Sequence, residues 1–304
     1  MSLLSALKGN GPSGFGYGST AEKVTDGIDL HGKTILVTGC NSGLGQETAT
    51  VLAKRGAHVI GAARTAAKAE EACKGFAEHT AVACELSDPD SVRAAVKTIA
   101  ASGKKLDAIV CNAGIMALPK LEQQRGYELQ FFTNHIGHFM LVTGLLDHLA
   151  PRGRVVVVSS AAHKAAPKEG IEFDNLSGEK RYDAWRNYGQ SKLANVLFAK
   201  HLAKKLAGTG KTANALHPGV ISTNLGRHMN PIMMAAFSLA KPLVLKSIPE
   251  GAATQTYVAT HPSLADVSGE YFADCNIAKS SAISHDSDLA KKLWDVSEEI
   301  VAKL

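Results

Sequence analysis

The chain has 304 residues, of which 45% are hydrophobic and 20% charged, with a formal net charge of +5. This composition supports one large core or two small ones, and no stretch approaches the roughly 18 to 20 apolar residues of a membrane-spanning helix. The charge is mild and dispersed, whereas nucleic-acid binding needs a concentrated basic patch. The five cysteines include no C-x-x-C pair, which favours a reducing compartment and argues against a structural zinc site.

The first 30 residues are predicted to form an N-terminal arm. Residues 1–8 contain no long apolar region and no small-residue cleavage site, so we expect a cytoplasmic protein, with organelle association left open. Glycine and serine are frequent in residues 1–18, which predicts irregular structure. Residues 19–22 (Ser-Thr-Ala-Glu) fit a capping box, which predicts a short helix to about Asp26.

A strand, a glycine-rich turn and a helix follow the arm. Residues 34–38 are apolar and β-branched, which is typical of a strand buried on both faces. The turn has the spacing T-G-x-x-x-G-x-G over residues 38–45, and a helical pattern spans 47–55. Glycine lets a backbone approach a pyrophosphate, and a helix N-terminus offers unpaired N–H groups to it. This succession predicts a dinucleotide-binding loop; the alternative is a merely structural turn.

The end of the next strand, predicted at residues 57–62, indicates which dinucleotide binds. NAD enzymes usually place a carboxylate there, on the adenosine ribose. This chain has Ala62-Ala63-Arg64-Thr65, with no carboxylate to repel a 2′-phosphate and a guanidinium to bind it. NADP(H) is therefore the predicted cofactor. The alternative for Arg64 is a surface arginine at the start of a helix.

Strands and helices then alternate along the chain. Further strands are predicted at 80–84, 106–111, 154–160, 212–216 and 269–272, and helices at 88–101, 124–149, 250–260 and 287–303, with another containing Tyr188. This alternation predicts a single Rossmann-like domain over residues 31–304, with a doubly wound parallel sheet in a three-layer α/β/α arrangement.

Two insertions interrupt the alternation, at about 161–187 and 221–248. Both follow strands at the edge where an open α/β sheet binds ligands, and long loops there commonly shape a substrate pocket. The second insertion is rich in methionine and other apolar residues. It predicts a packed lid helix, which could also form a hydrophobic wall of the substrate pocket, since methionines adapt to varied ligands. A membrane-surface helix is the third alternative.

Tyr188 and Lys192 stand four residues apart, on one face of a predicted helix. A phenol with a pKa near 10 is a poor acid or base at neutral pH. A nearby ammonium favours the phenolate and lowers that pKa, which suits the tyrosine to proton transfer. The pair predicts a catalytic site, although Tyr-x-x-x-Lys also occurs by chance on solvated helices.

In combination these motifs resemble those of the short-chain dehydrogenase/reductase family over roughly residues 33–275. The matching residues are Thr38-Gly39-x-x-x-Gly43-x-Gly45, Asn112-Ala113-Gly114, Asn134, Ser160, Tyr188-x-x-x-Lys192, and Pro218-Gly219 with Thr223. The sequences of residues 134–139, 191–197 and 216–219 are similar to those of one branch of the family. This branch contains retinol dehydrogenases, the WW-domain oxidoreductase and a chloroplast translocon-associated dehydrogenase.

The resemblance implies four catalytic residues. Tyr188 would exchange a proton with the substrate oxygen, and Ser160 would hydrogen-bond that oxygen. Lys192 would hold the nicotinamide ribose and lower the Tyr188 pKa, while Asn134 would order its helix and a water chain to Lys192.

The resemblance also implies a set of residues that contact the cofactor. Asn112 to Gly114 would support the adenosine side, and Thr223 would contact the carboxamide. Glu85 stands where many relatives have Asp, and its longer side chain would reach the adenine amine. The full set is Gly39, Asn41, Ser42, Gly43, Leu44, Gly45, Arg64, Glu85, Leu86, Asn112, Ala113, Gly114, Tyr188, Lys192, Pro218, Gly219, Val220 and Thr223.

The predicted function is an NADPH-dependent oxidoreductase that interconverts a ketone or aldehyde with an alcohol on a small hydrophobic substrate. One alternative is an NADP(H)-sensing interaction protein, as the translocon-associated relatives suggest; an epimerase or dehydratase is disfavoured by the glycine spacing. The resemblance implies a homo-oligomer, a dimer or tetramer formed through the long helices. No metal is expected, since His135 and His138 are i,i+3 histidines without nearby carboxylates, which usually pack or bond locally.

Overall fold

The computed structural model describes residues 8–221 and 245–304. The strands in chain order are Thr34–Thr38 (β1), His58–Ala63 (β2), His79–Ala83 (β3), Leu106–Cys111 (β4), Gln123–Gln124 (β5), Tyr127–Glu128 (β6), Leu149–Val158 (β7), Thr212–His217 (β8), Tyr271–Ala273 (β9) and Asn276–Ile277 (β10). Eight of these form one sheet in the order β10-β9-β8-β7-β4-β1-β2-β3. Its neighbouring strands run parallel, apart from the antiparallel pair β9–β10.

Helices cover both faces of this sheet. They are Ala21–Val24 (α1), Gly43–Lys54 (α2), Ala66–Cys73 (α3), Pro89–Ala101 (α4), Gly137–Leu145 (α5), Ala184–Lys205 (α6), Ile248–Thr260 (α7) and Ser287–Lys303 (α8). Apolar residues of α1, α2, α3 and α7 pack on one face, and those of α4, α5, α6 and α8 on the other. The predicted doubly wound α/β/α fold is therefore confirmed.

Strand β1 shows why the sheet forms the centre of the fold. Ile35 and Val37 join the apolar cluster on one face, and Leu36 joins the cluster on the other, because successive side chains of a strand alternate. All five residues of β1 are buried, as a parallel sheet covered by helices requires. The turns that follow β1, β4, β7 and β8 meet at the same edge, since these strands are parallel.

The predicted helix 124–149 is wrong at both ends. A turn through Arg125 and Gly126, with φ of 52° and 83°, joins β5 to β6, so helical structure starts only at Leu129. The Glu128 carboxylate caps that start by accepting from two backbone N–H groups. A π-helical turn, Phe132–Ile136, precedes α5, and β7 begins at Leu149, earlier than the predicted residue 154.

The arm and the two insertions differ in detail from the predictions. Thr20 rather than Ser19 caps α1, because its hydroxyl accepts from Lys23 N at 3.2 Å. Helix α6 begins at Ala184, so the first insertion ends there. This insertion contains two 3-10 turns, Ala161–Ala165 and Phe173–Asn175. Residues 222–244 of the second insertion lie outside the described residues. No helix within the described ranges is both long and apolar enough to cross a membrane.

Candidate active site

The glycine turn after β1 has a backbone conformation that leaves no room for a side chain at Gly39 or Gly45. Gly39 has φ of +67°, and a Cβ there would lie 3.1 Å from the Ala113 Cα. A Cβ on Gly45 would overlap the Gly39 carbonyl oxygen. Ser42 caps α2 without a side-chain hydrogen bond to the first turn of that helix. The open N-terminus of α2 therefore fits the predicted pyrophosphate site.

Asn112, at the end of β4, joins this turn to helix α7. Its Nδ2 donates to the Thr38 carbonyl oxygen at 2.8 Å, and its Oδ1 accepts from Gln255 Nε2 at 3.1 Å. Gln255 also donates to Thr48 Oγ1 in α2 at 2.6 Å. Gln255 was missed by the sequence analysis, because a single glutamine in a helix that also contains glutamate and threonine is no signal by itself.

His138 connects the strand before the glycine turn to the π-helical turn. Its Nδ1 lies 3.0 Å from the Asn134 carbonyl oxygen, and its Nε2 lies 2.9 Å from Thr38 Oγ1. A carbonyl oxygen can only accept, so Nδ1 carries the proton and Nε2 accepts from the Thr38 hydroxyl. Burial lowers the pKa of His138 to about 4, which keeps the ring neutral. His138 thus bonds locally, as predicted, but it also contacts Thr38, the residue directly before the glycine turn.

Asn134 lies fully buried in the π-helical turn. Its Oδ1 accepts from Ile115 N at 2.8 Å, while its Nδ2 donates to the Ile115 carbonyl oxygen and to Ser191 Oγ, both at 2.9 Å. These bonds connect the segment after β4 to helix α6. Asn134 therefore positions the segment that follows Asn112 against the helix of Tyr188.

Tyr188, Lys192 and Ser160 meet at the same sheet edge. The Ser160 side chain interacts with the Tyr188 hydroxyl, and Lys192 Nζ lies 5.8 Å from the Tyr188 ring centroid. Lys192 Nζ donates to the Val158 carbonyl oxygen at 3.2 Å. A Cβ on Gly114 would lie 3.3 Å from Lys192 Nζ and 3.0 Å from Asn134 Oδ1. The structure thus brings the four predicted catalytic residues together beside the glycine turn.

The two titratable groups have pKa values shifted by burial. Desolvation raises the pKa of Tyr188 to about 12, and the hydrogen bond to Ser160 opposes this rise. Desolvation also lowers the pKa of Lys192 to about 8. The net shift of the Tyr188 pKa in the chain by itself is therefore upward, opposite to the lowering expected from Lys192. The physical reason is that burial penalises the phenolate more than the surrounding groups stabilise it.

The residues predicted to contact the adenosine part of the cofactor differ in their surroundings. Arg64 is exposed and directly follows β2. Glu85 Oε1 instead accepts from Ser87 N at 3.2 Å and Ser87 Oγ at 2.9 Å, which turns the carboxylate onto its own loop. Leu86 is buried, and its backbone packs so closely on Gly137 that a Cβ there would overlap its carbonyl oxygen.

The segment after β8 holds the last predicted residues. Gly219 has φ of +102°, and a Cβ on it would lie 2.6 Å from Lys246 Cδ. Lys246 is buried and its Nζ pairs with Asp274 Oδ1 at 2.6 Å, a contact that the sequence analysis missed. Pro218 is buried and Val220 is exposed. Thr223 lies outside the described residues.

Relatives with known names match nearly the whole chain. A family model described as short chain dehydrogenase matches residues 33–173. Short-chain dehydrogenase TIC 32 A, chloroplastic, of Brassica napus is 43% identical over 97% of this chain and 96% of its own length. Human retinol dehydrogenase 14 is 40% identical over 90% of this chain and 88% of its own.

Solved structures agree with these relatives. A crystal structure of an uncharacterized protein from Mycobacterium Paratuberculosis has 32% identity and a TM-score of 0.73, covering 92% of this chain and 97% of that one. A short chain dehydrogenase from Burkholderia cenocepacia in complex with NADP has 25% identity and a TM-score of 0.63, covering 80% of this chain and 96% of that one. This chain belongs to the short-chain dehydrogenase/reductase family, in the branch similar to TIC 32 and the retinol dehydrogenases.

Proposed function

We propose that this protein is an NADPH-dependent oxidoreductase that interconverts a ketone or aldehyde with an alcohol on a hydrophobic substrate. The observation that carries the proposal is the buried Tyr188, whose hydroxyl interacts with the Ser160 side chain and whose ring centroid lies 5.8 Å from Lys192 Nζ, at the edge that holds the glycine turn. A nicotinamide cofactor suits the family, and when bound it would supply or accept the hydride.

The residues around the cofactor site support the choice of NADPH. The open N-terminus of α2 would hold the pyrophosphate, and the exposed Arg64 would pair with a 2′-phosphate. The Burkholderia structure is a complex with NADP, which favours the same cofactor for a chain of this fold. The retinol dehydrogenases act, by their names, on an alcohol, which favours an alcohol or its carbonyl partner here.

Tyr188 would act as the proton donor when a carbonyl is reduced. Its raised pKa keeps the hydroxyl protonated at neutral pH, so a proton is available as negative charge develops on the substrate oxygen. Ser160 would donate a hydrogen bond to that oxygen. The positive charge of Lys192 would stabilise the phenolate that forms, since oppositely charged groups favour each other's ionised form. Asn134 would hold the segment after β4 in place.

The decisive experiment removes the Tyr188 hydroxyl. Tyr188→Phe should reduce turnover of a working aldehyde by at least roughly a hundredfold, because general acid catalysis contributes about 10² to 10⁴ in rate. NADPH binding, measured by cofactor fluorescence, should stay within about twofold. Tyr127→Phe, in the β5–β6 hairpin, is the matched control and should keep full turnover. Unchanged turnover in Tyr188→Phe would remove this residue from the reaction.

A second candidate is an NADP(H)-sensing interaction protein, and one contact favours it. The N-terminal arm reaches the segment after β8, because Lys246 lies over the Tyr17 ring at 4.7 Å and beneath Gly219. Cofactor contacts near Gly219 would therefore reach the arm. A partner protein that is released from the chain by NADPH, together with no turnover across a panel of aldehydes and ketones, would favour sensing over catalysis.

A further inference from the structure

The buried Lys246 supports the segment that follows β8. Its backbone N donates to the Val220 carbonyl oxygen at 2.9 Å, and a parallel bridge pairs it with Ile221. Its aliphatic stem occupies the space beside Gly219 where a side chain would stand, since a Cβ there would lie 2.6 Å from Cδ and 3.0 Å from Cε. The position of Gly219 therefore depends on the stem of Lys246.

The charged end of Lys246 is also buried, and it is paired. Its Nζ lies 2.6 Å from Asp274 Oδ1, in the turn between β9 and β10, and its side chain is 1% exposed. The other lysines that form ion pairs within the described ranges have side chains that are 52% or more exposed. Replacing a buried ion pair with apolar side chains is often neutral or stabilising. Stability is therefore a poor account of a lysine at this place.

The N-terminal arm supplies a further contact to this lysine. Lys246 Nζ lies over the Tyr17 ring, 4.7 Å from its centroid, where a cation is attracted to the face of the ring. Asn276 of β10 holds the arm in place, because its Oδ1 accepts from Ser13 N and its Nδ2 donates to the Phe15 carbonyl oxygen, both at 3.0 Å. The arm, the β9–β10 turn and the segment after β8 thus meet at one ammonium group.

His217 joins the same segment to the strand end that carries the catalytic serine. Its Nδ1 accepts from Ala161 N, directly after Ser160, at 3.2 Å, and from Gly219 N at 3.4 Å. Burial, and then the Lys246 charge, lowers the pKa of His217 to about 4, so the ring is neutral and Nδ1 can accept. Gly219 is therefore held between the His217 ring and the Lys246 stem, and a shift of this stem would move Gly219 relative to Ser160.

We propose that Lys246 is a positioning residue for the nicotinamide half of the cofactor, and that Asp274 and Tyr17 set its place. The segment that it supports is the one expected to contact the nicotinamide, whereas the adenosine half is expected at the glycine turn and Arg64. This inference rests on the proposed function, because it takes NADPH as the ligand. Loss of the Lys246 charge should therefore weaken binding of the nicotinamide half and spare the adenosine half.

Binding of the whole cofactor and of its adenosine half tests this assignment. Lys246→Met keeps most of the stem and removes the ammonium. Its Kd for NADPH should rise about tenfold, the loss expected for roughly one hydrogen bond, while its Kd for 2′,5′-ADP, which lacks the nicotinamide, should stay within about twofold. Lys33→Met, which breaks the ion pair of an exposed lysine with Asp107, is the matched control and should change neither Kd. Equal weakening of both ligands, or of neither, would overturn the assignment.

Variants at Tyr17 test the contribution of the arm and leave the ion pair of Lys246 in place. Tyr17→Leu should raise the Kd for NADPH about threefold, as expected for the loss of one cation–π contact, and should spare 2′,5′-ADP. Tyr17→Phe keeps a ring over Lys246 Nζ and should raise the Kd for NADPH less. Equal Kd values for NADPH in the two variants would overturn the role of the ring.

Turnover separates this inference from the proposed reaction. A wild type that binds both ligands without reducing any aldehyde or ketone, with the expected Kd pattern in Lys246→Met, would sustain the inference and overturn the proposed reaction. A wild type that reduces an aldehyde with NADPH, while Lys246→Met binds NADPH as tightly as the wild type does, would overturn the inference alone.

Discussion

Asn134 and Ile115 are joined by a reciprocal pair of hydrogen bonds, in which the side-chain amide satisfies both backbone groups of one residue. The two distances are 2.8 Å for the Ile115 N–H and 2.9 Å for its carbonyl oxygen. The side chain thus substitutes for a strand neighbour at the point where β4 has ended. It holds the segment after Gly114 close to Lys192.

Asn134→Ala should lower both stability and activity. It leaves two buried backbone groups of Ile115 unpaired, and each such group costs about 1–3 kcal/mol. We expect the free energy of unfolding in urea to fall by about 2–4 kcal/mol, and kcat to fall by about a hundredfold as the site loses its alignment. Thr143→Ala, on the same helical stretch, should leave kcat unchanged. Normal kcat in folded Asn134→Ala would show that this residue acts in stability alone.

Arg64→Ala should weaken NADPH binding and leave NADH binding nearly unchanged. A charge-assisted hydrogen bond contributes about 1.5–3 kcal/mol, so the Kd for NADPH should rise by about ten- to a hundredfold. Arg64→Asp should go further and favour NADH, because its carboxylate would repel the 2′-phosphate. Isothermal titration with each cofactor measures both effects. Arg93→Ala on α4 is the control for loss of an exposed arginine, and an equal effect there would refute a specific role for Arg64.

Gln255→Leu should disturb the glycine turn from a distance. It removes the donor to Asn112 Oδ1 and Thr48 Oγ1, and leaves one acceptor half-buried and the other fully buried. We expect a loss of about 1–3 kcal/mol in unfolding free energy, together with a higher Kd for NADPH. Thr256→Val is the control, because its hydroxyl donates to the Ala252 carbonyl within the same helix. Unchanged cofactor binding in Gln255→Leu would show that Asn112 keeps the turn in place unaided.

Buried histidines should make the fold sensitive to mild acid. Burial lowers the pKa of His138 to about 4 and that of His135 to about 3. Because unfolded histidine has a pKa near 6.5, the unfolded state binds more protons as the pH falls below 6.5. Stability should therefore decline from pH 6.5 towards pH 4, by about 2 kcal/mol at pH 5 for His138 alone.

Urea unfolding at pH 7 and pH 5 measures this dependence. His138→Gln should be less stable at pH 7, since the Thr38 and Asn134 contacts are altered, yet should lose less stability on acidification. His148→Gln, on the turn after α5, is the matched control and should retain the pH dependence of the wild type. An unaltered difference between the two pH values in His138→Gln would contradict a buried neutral ring.

Helix α8 covers the outer face of α5 and α6, which bears on the predicted homo-oligomer. Trp294 packs on Phe139 and Phe198, and Ser297 Oγ lies 2.9 Å from His135 Nε2. We therefore expect any oligomer to form through surfaces other than this face. Hydrogen exchange of α8 should not change with protein concentration, while light scattering reports the mass.

A destabilised α8 gives the complementary test. Trp294→Ala should cost about 3–5 kcal/mol and uncover apolar surface, so its mass should rise with concentration relative to the wild type. Val301→Ala near the end of α8 should show a smaller loss and no change in mass. Protection of α8 that increases on assembly of the wild type would place an interface on this helix and contradict the expectation.

The sequence by itself determined the strand, glycine turn and helix of residues 34–54, the α/β alternation and the Tyr188–Lys192 pair. These depend on local properties: apolar periodicity, the conformational freedom of glycine, and the spacing of residues along one helix. The resemblance added Asn134, which donates to Ser191 on the helix of Tyr188, and Ser160, whose side chain interacts with Tyr188. The helix predicted from residue 124 was wrong because the turn at Gly126 decides the local path of the chain.

Tertiary structure alone decided the contacts between distant residues and the electrostatics that result from them. Gln255 and Asn112 are 143 residues apart, and no local pattern pairs them. The same holds for Lys246 beneath Gly219 and for His138 between Thr38 and Asn134. Spacing predicted that Lys192 would lower the Tyr188 pKa, yet burial raises it to about 12. Desolvation depends on everything packed around a group, which only the complete fold specifies.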